Sequence, residues 1–288
     1  MLNRIKEIRS NFLKQRRISN YLKKGKIPWE LGYEDYKMDL IAENIKDKDL
    51  ISQIKNNSLP PNYGVKIDER IIEYPWIIAN LSNKITNLLD AGSTLNFEYL
   101  LNHSVFLQKK ITILTLFPEA DCFYKKSISY HYGDIRDMIF KDFYFDEIIC
   151  QSTLEHIDMG NNIYGGSDKN SNSKAKSYEY IKAIQELKRV LSKNGVLLMT
   201  FPYGKFENHN FFQQFDKEMV EKIELYLNSF GTIEKTYFKY NKSGWQFSDE
   251  ESCSDAESYN PHTKVGKKED MAAHSRAICC IKFHNNKF

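Results

Sequence analysis

Long apolar runs are the first thing this sequence lacks. None of its hydrophobic stretches approaches the about 20 residues needed to cross a bilayer, and Met1-Leu2-Asn3-Arg4 opens no secretory core. The expected location is therefore the cytoplasm. Cysteine is also scarce. Its five cysteines (Cys122, Cys150, Cys253, Cys279, Cys280) form no Cys-x-x-Cys pair, and three lie in apparent strands. That pattern argues against zinc and disulfides and for reduced, packed thiols. No internal repeat is visible, and glycine is thin, at 13 of 288 residues. Against these absences, a 41% hydrophobic and 27% charged composition is that of an ordinary folded domain with one large core.

A net charge of +3 conceals an uneven distribution. Residues 1–26 hold nine bases and a single acid, Glu7, which leaves the remainder of the chain mildly acidic. Nucleic acid is a poor partner for such a body, because an acidic surface repels phosphate. The spacing of Leu2, Ile5, Ile8, Phe12 and Leu13 predicts a basic amphipathic helix at the start. A second helical stretch runs from Tyr33 to Lys55, and the loop Asn57 to Gly64 closes a helical N-terminal extension, residues 1–64. The body, residues 65–288, begins with a helix over Asp68 to Leu81.

From there apolar runs alternate with helical patterns. Strands are predicted up to Asp90, over Ile111 to Leu116, Ser129 to Tyr132, Phe145 to Cys150 and Val196 to Phe201. A helix from Ser177 to Leu191 is expected to end at Asn194-Gly195, and another spans Phe215 to Phe230. Two late strands, Thr232 to Tyr240 and Ala277 to Phe283, flank an acidic, turn-rich excursion. This alternation implies an α/β fold with a doubly wound, mostly parallel sheet of seven strands. The polar insert Gly165 to Lys174 reads as a lid or a plain surface loop.

In such a sheet, ligands bind beyond the carboxyl ends of the strands near the switch point. The candidates there are Asp90, Gly92 and Ser93, then Glu119, then Gly133, Asp134 and Ile135, then Gln151 and Ser152. A carboxylate accepts without donating, so Asp134 suits an adenine amino group and Glu119 suits ribose hydroxyls. The first turn has one glycine where a pyrophosphate cradle has several, which argues against NAD or ATP and permits a nucleoside ligand without phosphate. Each turn taken alone is an ordinary strand-ending turn; their joint order on successive strands carries the reading.

Several segments resemble Rossmann-like S-adenosylmethionine-dependent methyltransferases, in particular a bacterial branch associated with surface-glycan and small-molecule biosynthesis. They are Leu89-Asp90-Ala91-Gly92-Ser93, Gly133-Asp134-Ile135-Arg136-Asp137, Phe145 to Cys150, Ser152-Thr153-Leu154-Glu155-His156-Ile157, Glu186 to Leu191, and Gly195 through Pro202-Tyr203-Gly204. The late strand pair also suits that sheet better than a dehydrogenase's second βαβ half. The resemblance implies S-adenosylmethionine as cofactor. It also implies transfer of a methyl group to an oxygen of a small polar acceptor: a sugar, or a nucleotide-linked or phosphorylated intermediate of polysaccharide biosynthesis. Two departures stand out. Only Gly92 remains in the first turn, and Thr115-Leu116 replace the acid that usually ends the second strand, with Glu119 following Pro118.

An alcohol acceptor must shed a proton, so a general base is expected, and His156 past the fourth strand is the first choice. His209 beyond the fifth strand is the second, and a histidine that merely packs the loop is the plain alternative. Glu155, Tyr203 and Lys205 are candidate acceptor contacts, with Glu155 also read as orienting the loop. Glu155, His156, Asp158, His209 and His262 are all metal-ligand types, yet their spacing matches no tight site, so no metal is expected. The Asn/Asp-Pro-Pro-Tyr tetrad of nucleic-acid methyltransferases is absent after Cys150. The basic helix of residues 1–26 has three open readings: packing on its own body or a twin subunit, lying on an anionic membrane, or docking a partner or phosphorylated substrate. Trp29 and Tyr33 to Lys37 are expected to pack over the active-site side. The rival function is a catalytically degenerate binding or scaffold protein, motivated by the glycine-poor turn and the displaced acid.

Overall fold

The computed structural model describes residues 2–160 and 175–287, with side chains from residue 8 onward. The insert Gly165 to Lys174 lies outside the described residues. Ten strands are present among those described: β1 (Asn87–Ala91), β2 (Lys110–Thr115), β3 (Ser129–Tyr132), β4 (Phe145–Gln151), β5 (Leu191–Pro202), β6 (Glu207–Asn208), β7 (Gln213–Gln214), β8 (Thr232–Asn241), β9 (Gly244–Ser248) and β10 (Ala277–His284). Eight of them form one sheet in the order β3-β2-β1-β4-β5-β10-β8-β9, and β6 and β7 form a small separate hairpin. Strands β1 to β5 pair in parallel, while β10 runs antiparallel to both β5 and β8. The fold is therefore α/β with a mostly parallel central sheet.

Period-2 alternation explains the two layers of helices. Leu88, Ile113, Ile149, Leu198 and Ile278 face one hydrophobic cluster, whereas Leu89, Leu114, Ile148, Leu197 and Cys279 face a second. Helices α1 (Leu2–Lys23), α2 (Tyr33–Asn44), α3 (Lys48–Lys55) and α4 (Arg70–Asn80) come first in the chain, followed by the short α5 (Glu98–Leu101). The first cluster takes Tyr21, Tyr33, Ile41, Leu50 and Trp76 from α1 to α4. The second takes Ile184 and Leu187 from α6 (Tyr180–Val190) and Ile223 from α7 (Lys217–Leu227). The N-terminal extension thus supplies part of one face of the sheet. A last short helix, α8 (Glu250–Cys253), lies in the excursion before β10. No helix among the described residues is long and apolar enough to cross a membrane.

Several local expectations need correction. The stretch Tyr33 to Lys55 is two helices, because the Asp47 carboxylate accepts from the backbone N–H groups of Asp49 and Leu50 and starts α3 afresh. Gly195 does not cap α6. That helix ends at Val190, β5 starts immediately, and the left-handed residue is Asn194 at φ 62°. The sheet has eight strands, not seven, because Gly244–Ser248 turns back on β8 within the segment read as turn-rich. Pro75 inside α4 removes a donor that Ile71 C=O needs, and the Tyr63 hydroxyl fills the gap at 2.7 Å.

Candidate active site

The strand order reverses between β1 and β4, and there the turns beyond β1 to β4 border a cavity of about 600 Å³. That volume is within the usual range for a small-molecule site. Gly92 sits at φ 126°, and a Cβ placed on it would lie 2.1 Å from Thr153 Oγ1 in the turn after β4. Only glycine allows those two turns to meet. Ser93 (φ 61°) and Ser152 (φ 40°) both hold left-handed backbone at the cavity wall, a strain that clusters where geometry serves a ligand. The Ser93 hydroxyl is buried and has no hydrogen-bond partner among the described residues.

Gly92, Ser93, Glu119, Gly133, Asp134, Ile135, Ser152 and His156 all line this cavity. Glu119 reaches it from the loop after β2. Asp134 is already engaged: Arg136 donates to its carboxylate from Nη2 at 2.6 Å, from Nε at 3.0 Å and from its backbone N–H at 2.8 Å. An adenine amino group would have to share those oxygens. Asp90 stands behind the wall instead. It is fully buried and accepts from Thr94 N, Thr94 Oγ1 and Leu95 N, so it shapes the first turn rather than meeting a ligand. Burial pushes its carboxyl up to about 7, with those hydrogen bonds pulling the other way.

His156 faces the cavity with its ring over Phe211 and Nδ1 2.7 Å from the Phe211 carbonyl oxygen. A carbonyl only accepts, so Nδ1 carries the proton and the lone pair is on Nε2. Burial lowers this histidine to about 4, against the pull of the Phe211 carbonyl, so it is neutral at pH 7. Glu155 does not line the cavity. It is buried, Oε2 has no partner among the described residues, and burial pushes it up to about 8.

Beneath the cavity, Glu73 is fully buried and accepts from Ser152 Oγ at 2.6 Å, Thr200 Oγ1 at 2.6 Å, Gln151 Nε2 at 3.1 Å and the Arg70 guanidinium. Gln151 therefore braces the floor and does not line the pocket. Neither Glu73 nor Arg70 was marked by any motif. Their only sequence signal is a pair of charges, three residues apart, on a helix otherwise apolar. Glu34, Lys37 and Met38 of α2 and Tyr99 of α5 complete the wall. The roof is tied down by Lys37 and Tyr33, which both donate to Asp68, and by the Arg17–Asp35 pair.

Three further candidates stand outside the cavity. Tyr203 is buried against Tyr237, with ring centroids 5.0 Å apart. Lys205 is exposed, and its backbone is bonded to Ala256 and Gln214. His209 stacks on Phe212 and lies 2.7 Å from Ser258 Oγ. The expectation that Tyr203 and Lys205 contact an acceptor and that His209 serves as a base is corrected by their absence from the cavity lining, and Ala256 presses on Gly204 so closely that a Cβ there would be 2.2 Å from its carbonyl oxygen. Among the described residues, no group of three His, Cys, Asp or Glu is placed to hold a metal ion.

Comparison with known proteins agrees on one domain. Residues 91–199, less than half of the chain, match the family described as "Methyltransferase domain". No curated protein matches the chain. Among solved structures it is similar to the YcgJ protein of Bacillus subtilis, with 12% identity, 75% of this chain and 99% of that one covered, and a TM-score of 0.44. It is also similar to 1,6-didemethyltoxoflavin-N1-methyltransferase of Burkholderia thailandensis, with 10% identity, 98% and 90% covered, and a TM-score of 0.41. The Ser93 hydroxyl, unpartnered among the described residues, is a buried polar group that a nucleoside ligand can meet. Residues 91–199 thus match a methyltransferase domain, set in an α/β sheet whose parallel strands end at this cavity.

Proposed function

We propose that this protein methylates an oxygen of a small polar acceptor, with His156 as general base. The observation that carries the reading is the place of the His156 ring at the cavity wall, where the Phe211 carbonyl holds it through Nδ1. A neutral imidazole is ready to take a hydroxyl proton as the acceptor oxygen becomes bonded to carbon. S-adenosylmethionine, when bound, supplies a methyl group on a sulfonium. The chain's own residues do the rest: Glu119 accepts from ribose hydroxyls, Ile135 offers an apolar face, and the Gly92–Ser93 turn lets the ligand approach the backbone. Asp134, buttressed by Arg136, offers its remaining lone pairs to the adenine amino group. Tyr99 and Met38 help enclose the acceptor, and orientation within that enclosure accounts for much of the acceleration. A sugar hydroxyl in surface-polysaccharide biosynthesis is the acceptor that the sequence resemblance favours.

A second reading has one observation behind it. Both Asp134 oxygens are already bonded to Arg136, as in a degenerate domain that has given up its ligand. Calorimetric titration with S-adenosylhomocysteine separates the two. Micromolar binding supports the enzyme, and absence of binding establishes the scaffold. Transfer of labelled methyl to a sugar panel, lost in His156→Ala while cofactor binding persists, then tests the base.

A further inference from the structure

Helix α1 uses only some of its charges to hold itself in place. Lys14, Arg17, Ile18 and Tyr21 follow the spacing i, i+3, i+4, i+7 and so share one face. Ile18 and Tyr21 are buried, with the Tyr21 ring packed against Tyr33 and Tyr36 of α2. Lys14 pairs with Asp39 and Arg17 with Asp35, so α2 neutralises the bases of this face. The same α2 turns Glu34, Met38 and Ile41 to the cavity, and α1 is therefore the layer outside the cavity roof.

The opposite face of α1 is different. Arg9, Arg16 and Lys23 are seven residues apart, which sets them in one row along the helix. All three are exposed, and among the described residues none has an ion pair. Ile8 and Phe12, one turn apart on one side of that row, are 62% and 67% exposed, and Leu13 on its other side is 42% exposed. A partner for this face must therefore offer anions and an apolar medium together. A bilayer with anionic headgroups does so: phosphate oxygens meet the cations, whose long stems reach up past the apolar side chains. A nucleic acid would take the cations and leave Ile8 and Leu13 in water. For a second copy of the chain, so narrow an apolar strip is small beside the about 800 Å² per partner that a stable pair buries.

We propose that the outer face of α1 docks this protein onto an anionic lipid bilayer, with Arg9, Arg16 and Lys23 at the headgroups and Ile8, Phe12 and Leu13 in the outermost acyl region. The assignment is independent of the methyltransferase reading. It places the cavity roof, α2, one helix away from the lipid surface.

The test is flotation of the full-length protein with vesicles of phosphatidylglycerol and phosphatidylcholine, against vesicles of phosphatidylcholine alone. Wild type is expected to bind the anionic vesicles about tenfold or more tightly, and to release them as salt is raised. The triple variant Arg9→Gln, Arg16→Gln, Lys23→Gln should lose about tenfold or more, and the double variant Ile8→Ser, Phe12→Ser should lose severalfold. All five side chains are exposed, so both variants keep the packed face of α1 intact. A charge-matched control carries Lys182→Gln, Lys217→Gln and Lys222→Gln on α6 and α7, which pack on the other side of the sheet, and should bind as wild type does. Wild type that stays in solution with anionic vesicles overturns the proposal. An equal loss in the control also overturns it, because net charge alone would then explain the binding. So does an affinity that the double serine variant leaves unchanged. Where vesicles fail to bind, a dimer in light scattering that the double serine variant dissolves assigns the face to a second copy, and a mobility shift of an oligonucleotide assigns it to nucleic acid.

Discussion

The two halves of the sheet end differently. Beyond β1 and β4, the turns part around a cavity, with Gly92 and two left-handed serines among its wall residues. Beyond β5, the chain is stoppered: Tyr203 is buried, Gly204 is pressed by Ala256, and Gln214 Nε2 donates to the Lys205 and Ala256 carbonyls. The histidines follow their halves. His156 lines the cavity while held by the Phe211 carbonyl, whereas His209 is bonded to Ser258, stacked on Phe212 and outside the cavity. Residue type and position after a strand were alike in the two cases, so what separates them is the neighbour. β4 lies next to the reversal of strand order, while β5 is flanked by antiparallel β10 and the excursion that precedes it.

Substitutions that exchange the characters of the two halves test this contrast most severely. Gly92→Val drives side-chain atoms into Thr153 and should abolish S-adenosylhomocysteine binding in calorimetry while costing about 1–3 kcal/mol in thermal unfolding. His156→Ala should slow methyl transfer about 10²- to 10⁴-fold and leave cofactor affinity alone, whereas His209→Ala should leave the rate within about twofold. Equal effects in a labelled-methyl assay would erase the distinction between the halves. Asp134→Ala should weaken cofactor binding about ten- to a hundredfold by calorimetry, against no change for Tyr203→Phe.

Smaller effects come from protons. Glu155 has its folded-state value raised from 4.5 to about 8, so its contribution to stability is whole below 4.5 and is lost as pH rises through about 8. Glu155→Gln should remove that loss, flattening the melting temperature between pH 6 and 9. His156 has the opposite sign: its folded-state value falls from 6.5 to about 4, so stability is whole above 6.5 and declines as pH falls toward 4. The transfer rate should likewise hold down to about pH 4 instead of failing near 6.5.

The parallel strands β1, β2, β4 and β5 were legible because each carries a buried apolar run, whereas β3 is a half-exposed edge strand without one. The cofactor half was legible because its turns lie in the chain order of the strands. What the sequence hid depends on contacts between distant segments. Lys37 and Arg70 reach the cavity only because α2 and α4 fold over one edge of the sheet, and no periodicity reports which neighbour a helix will meet. Tyr203 and Lys205 look like rim residues until Ala256 packs against the backbone that joins them. The break at Asp47 was readable as an N-cap, but the continuous apolar pattern on either side of it obscured the signal.

Asp68 has a wider reach than its size suggests. One oxygen accepts from Tyr33 and Lys37 on α2, and the other accepts from the backbone N–H of Arg70. A single carboxylate therefore clamps the ceiling of the cavity to the helix that forms its side. Its removal would loosen two walls at once while leaving every atom of the chemistry in place, so an inactivating lesion in this protein need not lie where the reaction occurs.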